Sequence, residues 1–343
     1  MANQSVSTPR FFVDFSQLLK LKGFYESTTD DKVFNGDLYD GDYYNLESQN
    51  YYFELSNMNE ANEGTFSKLL GICNWGGFFN HEIYKGFINY SAEIFPSIKF
   101  NDTGANWEEV DLIEIINGGG TGSPIAYDGF TIFEFVSNLG LDIAKISIGL
   151  DSAITQTSAD FYLGSGGFGR YYDITNSADL NIRKSIKYDG VDIKRTLGGS
   201  DIAEIKNWGV PNWVSGEPWA LNKGYSKGRI GRNGRRSWDL SFSYISNDDL
   251  FFDNTSLTKL NSFADLDSDP SDTAESANQY SASTEIQQIF DLTLGGALSF
   301  YFTPDKDATN PEFAQCKLDQ NSLEATQVAH QTWNISMRIV EVW

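Results

Sequence analysis

Basic side chains concentrate in one part of this chain and could form ionic contacts with an acidic partner. Residues 183–236 hold twelve Lys and Arg against five Asp and Glu, although the whole chain has a formal net charge of −22. Nucleic-acid phosphates are another target for such a stretch, but the overall charge favours protein–protein contact. We therefore predict an assembly surface that consists of Lys223, Lys227, Arg229, Arg232, Arg235 and Arg236 together with Trp208, Trp213 and Trp219.

The same residues admit other roles. Trp208, Trp213 and Trp219 could stack on sugar rings, or they could cover a sheet as part of the core. The cations could equally pair with carboxylates of their own fold. If they meet acidic faces of neighbouring copies instead, the assembly should weaken as the salt concentration rises.

Residue types that usually carry catalysis are scarce or poorly spaced. The two histidines, His81 and His330, lie about 250 residues apart, so neither a Ser-His-Asp triad nor a zinc cluster has evident partners. Gly164, Gly166 and Gly169 match G-x-G-x-x-G, but the following R-Y-Y-D predicts more strand instead of the helix that a nucleotide loop requires. We expect no catalytic residue and no cofactor.

Two acidic clusters have spacings that calcium sites use. Asp265, Asp267 and Asp269 imitate the start of a calcium loop, but Pro270 and Ser276 occupy the places of the required glycine and glutamate. Asp37, Asp40 and Asp42 lie among turn residues and are the better candidate. The sequence as a whole predicts no metal site.

Two segments alternate strictly between apolar and polar residues and predict strands with one buried face. In the first, Trp238, Leu240, Phe242 and Tyr244 alternate with serines and Asp239, so Trp238 to Tyr244 is predicted as core and Arg235 and Arg236 as contacts at the sheet edge. In the second, residues 332–343, Trp333, Ile335, Met337 and Ile339 form the apolar face. Both strands should belong to the same β-rich region.

Turn and helix signals place further elements. Asp189-Gly190 lies between residues 180–188 and 191–196 and predicts a β-hairpin with a two-residue turn. Residues 284–292 predict a short helix, because Ile286, Ile289 and Phe290 share one face. Strands, or short helices in the earlier segments, are expected at residues 51–55, 66–72, 84–90, 93–100, 111–116, 129–136, 141–150, 159–163 and 297–302.

Composition indicates a β-rich protein without a membrane span. The 343 residues include 31 Gly, 25 Phe and 17 Tyr but only 8 Pro. No apolar run approaches the ~18 residues that a spanning helix needs. The polar opening residues 1–10 predict no secretory signal, and Cys73 and Cys316 are expected to be buried free thiols, so we expect folding in a reducing cytoplasm.

These signals predict an all-β chain with two β-sandwich or jelly-roll domains and short helices in the connections. The predicted division is an N-terminal segment at 1–25, a jelly roll at 26–172 and a second β-sandwich at 173–343. An acidic loop at 265–283 belongs to the second domain.

Several motifs of residues 170–343 resemble virion structural proteins of tailed bacteriophages, in particular minor tail or distal-tail proteins. They are R-T-L-G-G at 195–199, W-G-V-P-N-W at 208–213, G-R-R-S-W-D-L-S-F-S-Y at 234–244 and the endings at 313–323 and 333–343. The first half, with I-S-I-G-L-D at 146–151 and D-F-Y-L-G-S-G-G-F-G at 160–169, is similar to a galactose-binding-like jelly roll.

The resemblance implies a tail component that is made in the bacterial host cytoplasm and built into the virion. Its partners would be copies of itself in a homo-oligomeric ring and other virion tail proteins, and not nucleic acid. The alternative is a carbohydrate-binding adhesin that recognises a host glycan through Trp75, Trp107 and Tyr127. A hydrolase is a third reading, but the 47 acidic residues supply carboxylate pairs too freely to discriminate.

Overall fold

The fold comes from a computed structural model of the chain. It describes residues 9–22, 25–27, 33–38, 40–46, 50–57, 69–84, 93–102, 107–116, 124–137, 143–152, 159–174, 177–180, 182–188, 191–205, 234–246, 250, 285–308 and 312–342. The elements are β1 (Arg10–Asp14), α1 (Phe15–Lys22), β2 (Tyr25–Ser27), β3 (Asp42–Leu46), β4 (Asn50–Asn57), β5 (Trp75–His81), β6 (Ile94–Asp102), β7 (Trp107–Glu109), β8 (Leu112–Ile116), β9 (Gly129–Phe135), β10 (Ile143–Ser152), β11 (Ala159–Asp173), β12 (Arg183–Lys187), β13 (Val191–Arg195), β14 (Asp201–Ile205), β15 (Arg235–Ser246), α2 (Glu285–Leu292), β16 (Phe300–Thr303), β17 (Ala314–Leu318), β18 (Ala325–Ala329) and β19 (Thr332–Glu341).

Most strands belong to one large antiparallel sheet of twelve strands. Ten of them follow the order β12-β15-β19-β17-β16-β1-β11-β5-β9-β8, while β18 pairs with β19 and β3 with β11. Strand β1 lies at the centre of this order, because Phe11 is opposite both Tyr172 of β11 and Phe302 of β16. Early and late parts of the chain thus meet at one strand.

A second sheet of five strands, β2-β4-β10-β6-β7, completes a sandwich-like arrangement. The main apolar cluster joins both sheets and both helices: it includes Phe11 of β1, Leu19 of α1, Ile148 of β10 and Ile289 of α2. Helix α1 begins directly after β1, where the side chain of Asp14 accepts a hydrogen bond from Ser16 N at 2.9 Å, as an N-cap residue does. The all-β, sandwich-like fold is confirmed.

The alternating strands are also confirmed, with one exception. Trp238, Leu240 and Phe242 are buried, but Tyr244 is 75% exposed and has a φ of 61°. The register against β19 shifts between Phe242 and Ile245, so a β-bulge inverts the alternation and Ile245 takes the buried position. The prediction of Tyr244 as core was therefore wrong.

The predicted hairpin around Asp189-Gly190 was also wrong. Strand β12 pairs with β15, whereas β13 pairs with β14 through the turn at residues 196–200. Gly199 has a φ of 83° in this turn, and Thr196 N donates to Ser200 O at 2.8 Å. Gly198 and Gly199 thus lie in the turn of the hairpin that does form, because glycine accepts the positive φ at position 199.

Glycines of the G-x-G-x-x-G match lie inside β11. A Cβ atom at Gly169 would lie 2.0 Å from the Val13 carbonyl oxygen, and one at Gly164 would lie 2.3 Å from the Leu38 carbonyl oxygen. The spacing thus reflects the close approach of neighbouring backbone to a long strand. No phosphate loop is formed there.

Remaining expectations have mixed outcomes. The short helix is confirmed as α2, with Ile286, Ile289 and Phe290 buried. Cys73 and Cys316 are both free and buried, as expected.

The large sheet crosses the predicted domain boundary, since β11 ends at Asp173 and β1 joins it to β16. The domain division itself stays a prediction, and the acidic loop 265–283 lies outside the described residues.

Candidate functional site

Strands β12, β15 and β19 form one end of the large sheet and present a polar outer face. Cross-strand partners share a face, and the register places Lys187 opposite Arg235 and Ser237 opposite both Ser185 and Val340. These strands enclose a groove of about 480 Å³, which we call the basic groove. Its lining residues are Ser185, Ile186, Lys187, Arg235, Ser237, Asp319, Arg338 and Val340.

Cations dominate the lining of the basic groove. Among the described residues that line it, Lys187, Arg235 and Arg338 accompany one carboxylate, Asp319, which lies 3.4 Å from Arg338 Nε. Asp239 is 3.5 Å from the same nitrogen, outside the lining. The groove therefore carries positive charge on a molecule whose total is −22, which makes it a local site for an acidic group.

Arg236 lies on the opposite face of β15 and is buried. Its Nε donates to Glu341 Oε2 at 2.9 Å and its Nη2 to Glu341 Oε1 at 3.0 Å, so the pair is bidentate. Nη2 also donates to the Phe313 carbonyl at 2.8 Å, and the guanidinium lies over the Trp238 ring, 5.2 Å from its centroid. The expected assembly contact at Arg236 is thus corrected: its side chain is 5% exposed and joins β15 to β19.

Glu312 connects this buried pair to the surface. It accepts hydrogen bonds from Arg236 and, at 2.8 and 2.7 Å, from Lys184 Nζ of β12. Burial alone would raise the pKa of Glu312, but Lys184 and Arg236 outweigh it and hold that pKa below the usual value. Burial alone would lower the pKa of Arg236. Its hydrogen bonds and charge interactions with Glu341 outweigh this effect and raise that pKa above the usual value. Glu312 and Arg236 therefore stay charged, and their hydrogen bonds join the strands beneath the groove.

Of the other predicted assembly residues, the structure describes Arg235. Arg235 lines the groove, but Trp208, Trp213, Trp219, Lys223, Lys227, Arg229 and Arg232 lie outside the described residues. The sequence did not predict Lys187, Arg338 and Asp319 in the groove or Glu341 beneath it. Parity was the available signal: Arg236 and Trp238 share one face of β15, and Glu341 and Ile339 share one face of β19, so both charged residues had to point inward.

The residues proposed for glycan binding do not form one exposed platform. Trp75 is fully buried and packs edge-on against Phe12 and Tyr301, at centroid distances of 5.5 and 5.8 Å. A sugar ring cannot reach it, so its assignment is corrected. Trp107 on β7 and Tyr127 before β9 are half-buried, and burial raises the pKa of Tyr127.

The structure also shows where the two histidines and the acidic cluster at Asp37, Asp40 and Asp42 lie. His81 is buried on β5, where its Nε2 lies 2.9 Å from Thr131 Oγ1 and burial lowers its pKa to about 3; His330 is exposed. Asp37, Asp40 and Asp42 are exposed. Within the described ranges, no group of three His, Cys, Asp or Glu side chains is arranged to hold a metal ion.

Helices of the described segments are all too short or too polar to cross a membrane. Protein-family models, curated proteins and solved structures were compared with the chain, and none of them matches it.

Proposed function

We propose that this chain is a structural protein that assembles with copies of itself, using the basic groove as one contact surface. The observation that carries this proposal is the placement of Lys187, Arg235 and Arg338 around a groove at the end of the large sheet of a strongly acidic molecule. Opposite charges on two copies would steer their encounter and fix their orientation.

Exposed apolar side chains on the other face of β12, the face that Ile186 shares with Arg236, support a protein partner. Ile186 is 49% exposed and Tyr188 is 61% exposed, both on or directly after β12. Protein interfaces combine such apolar and aromatic contacts with a polar rim. The buried Arg236–Glu341 pair holds the groove strands in place, so little ordering should be needed when a partner binds.

A second feature also suits assembly. Among the strands that the structure describes, β13 and β14 pair only with each other, and they expose Ile193, Leu197 and Ile202. A two-stranded ribbon is marginally stable alone in water. Contact with a neighbouring copy would bury these side chains.

Within this proposal, the assembly is a ring in the tail of a bacteriophage virion, together with other tail proteins. The motifs at 195–199, 208–213, 234–244 and the two endings support the virion context through their resemblance to minor tail and distal-tail proteins. The bacterial cytoplasm as the place of synthesis follows from the same resemblance.

Sedimentation velocity across a range of salt concentrations tests the self-assembly. We expect oligomers at low salt that dissociate as salt screens the groove. Lys187→Glu with Arg235→Glu should prevent assembly. The matched control, Lys20→Glu with Lys145→Glu, changes the charge equally at two exposed lysines outside the groove and outside β13 and β14, and should assemble like the wild type. A wild-type chain that stays monomeric at every salt and protein concentration would contradict the proposal.

A further inference from the structure

The segment Trp107–Ile116, which we call the acidic ribbon, closes one side of the sandwich. It contains β7, the edge strand of the five-stranded sheet, and β8, the last strand of the large sheet. Val110 N donates to the Ile98 carbonyl of β6 at 3.1 Å and extends the pairing of β7, and the chain then crosses to the large sheet at β8. The ribbon therefore lies at the end of the large sheet that is opposite to the basic groove.

Charge on the acidic ribbon is of one sign. Glu108, Glu109, Asp111 and Glu114 are all exposed, and the ten residues include no Lys or Arg. Glu109 has an ion-pair partner in Lys99, whose Nζ lies 4.0 Å from Glu109 Oε2, and the Glu109 side chain remains 61% exposed. An exposed pair at that distance contributes little and leaves the ribbon strongly negative.

Apolar groups accompany these carboxylates. Ile113 of the ribbon is 48% exposed, Val136 after the neighbouring β9 is 66% exposed, and Trp107 is partly exposed. The edge strand β12 of the basic groove also exposes apolar side chains, Ile186 and Tyr188, but on its other face. The ribbon and the groove are thus complementary in charge.

We infer that the acidic ribbon of one copy binds the basic groove of the next copy. Nine strand-to-strand steps of about 4.8 Å separate β8 from β12 along the sheet, so the two surfaces lie at its opposite ends. Two different surfaces in contact make a heterologous interface, which adds copies head to tail and closes into a ring when the rotation permits. This inference rests on the proposed self-assembly and names its second surface.

Two neutralised variants test the pairing of surfaces. The groove variant carries Lys187→Gln and Arg235→Gln, and the ribbon variant carries Glu108→Gln, Asp111→Asn and Glu114→Gln. Each variant keeps one intact surface, so each alone should sediment as a monomer. Mixed together, they should form a one-to-one dimer and nothing larger, because only one of the two possible contacts is intact.

A matched control removes three exposed carboxylates elsewhere, with Asp37→Asn, Glu93→Gln and Glu324→Gln, and should assemble like the wild type. Circular dichroism establishes that every variant is folded. If the wild type assembles and the ribbon variant assembles equally well, or the mixture stays monomeric, the head-to-tail pairing is wrong while self-assembly stands. A monomeric wild type overturns both.

Discussion

Arg236 stabilises the strands of the basic groove although its own side chain does not line the groove. Its guanidinium bonds to Glu341, Glu312 and the Phe313 carbonyl on the inner face of β15, while Arg235 next to it lines the groove on the outer face. A buried bidentate pair of this kind is costly to break, because the partner that remains is left charged and buried. The position of Arg235 therefore depends on its neighbour.

We expect Glu341→Gln to lower the free energy of unfolding by about 3 kcal/mol, since it leaves the buried Arg236 without its bidentate partner. Urea denaturation measures the loss. The matched control is Asp201→Asn, which removes the carboxylate from the exposed pair with Arg195 and should cost less than ~1 kcal/mol. Equal losses in the two variants would contradict the role of burial.

At the level of single residues, part of the site can be predicted from the sequence. Parity along β15 and β19 assigns Arg236 and Glu341 to the core face, because they alternate in step with Trp238 and Ile339. Lys187 could not be assigned to the groove, since its position depends on which strand pairs with β12. Asp319 and Glu312 lie outside the strands, where no periodicity applies.

Strand β15 shows how a single extra residue redirects a strand. The alternation of its side chains is interrupted between Phe242 and Ile245, and Tyr244 takes a left-handed conformation with a φ of 61°. Ile245 is 1% exposed as a result. Strict alternation predicts a buried Tyr244 and an exposed Ile245, and the structure shows the reverse. Substitution of Ile245 should therefore destabilise the protein more than substitution of Tyr244.

Replacing each residue tests the bulge. Ile245→Ala should lower the free energy of unfolding by about 3 kcal/mol, because it opens a cavity in the core. Tyr244→Gly should stay within about 1 kcal/mol of the wild type, since glycine accepts the positive φ and little buried area is lost. Thermal and urea unfolding of both variants measure this. A larger loss for Tyr244→Gly than for Ile245→Ala would restore the uninterrupted alternation.

Element prediction succeeded where one face of a strand or helix is buried. Strand β19 and helix α2 have a clear period and were predicted within a few residues. Strand β5, W-G-G-F-F-N-H, was missed because all seven residues are buried and no alternation remains. The hairpin was misplaced because Asp189-Gly190 and Gly198-Gly199 are both good turn sequences, and only the pairing of β13 with β14 decides between them.

The large sheet makes the whole molecule depend on β1. This strand pairs with β11 on one side and with β16 on the other, and Phe12 packs against Trp75 at a centroid distance of 5.5 Å. The sequence signals predicted a division of the chain near residue 172. They could not indicate that an N-terminal strand lies between the two parts, because strand order is set by pairing across the sequence.

Truncation tests this dependence. A chain that lacks residues 1–14 should lose the near-ultraviolet circular dichroism of its packed aromatics and its cooperative thermal transition, because β11 and β16 both lose a partner. Removal of residues 1–8 alone keeps β1 and should leave one transition like that of the full chain. Independent folding of residues 26–172 would instead support two separate domains.

The central position of β1 also bears on how the protein is synthesised. Arg10 is opposite Thr303, about 290 residues later in the chain. At a translation rate of ~5–20 residues per second, the emerging β1 waits roughly 15–60 s for that partner. During this time Phe11 and Phe12, both fully buried in the folded protein, lack both neighbouring strands until β11 is made and then still lack β16. The nascent chain should therefore be a substrate for ribosome-associated chaperones, and the sheet can close only after β16 has been synthesised.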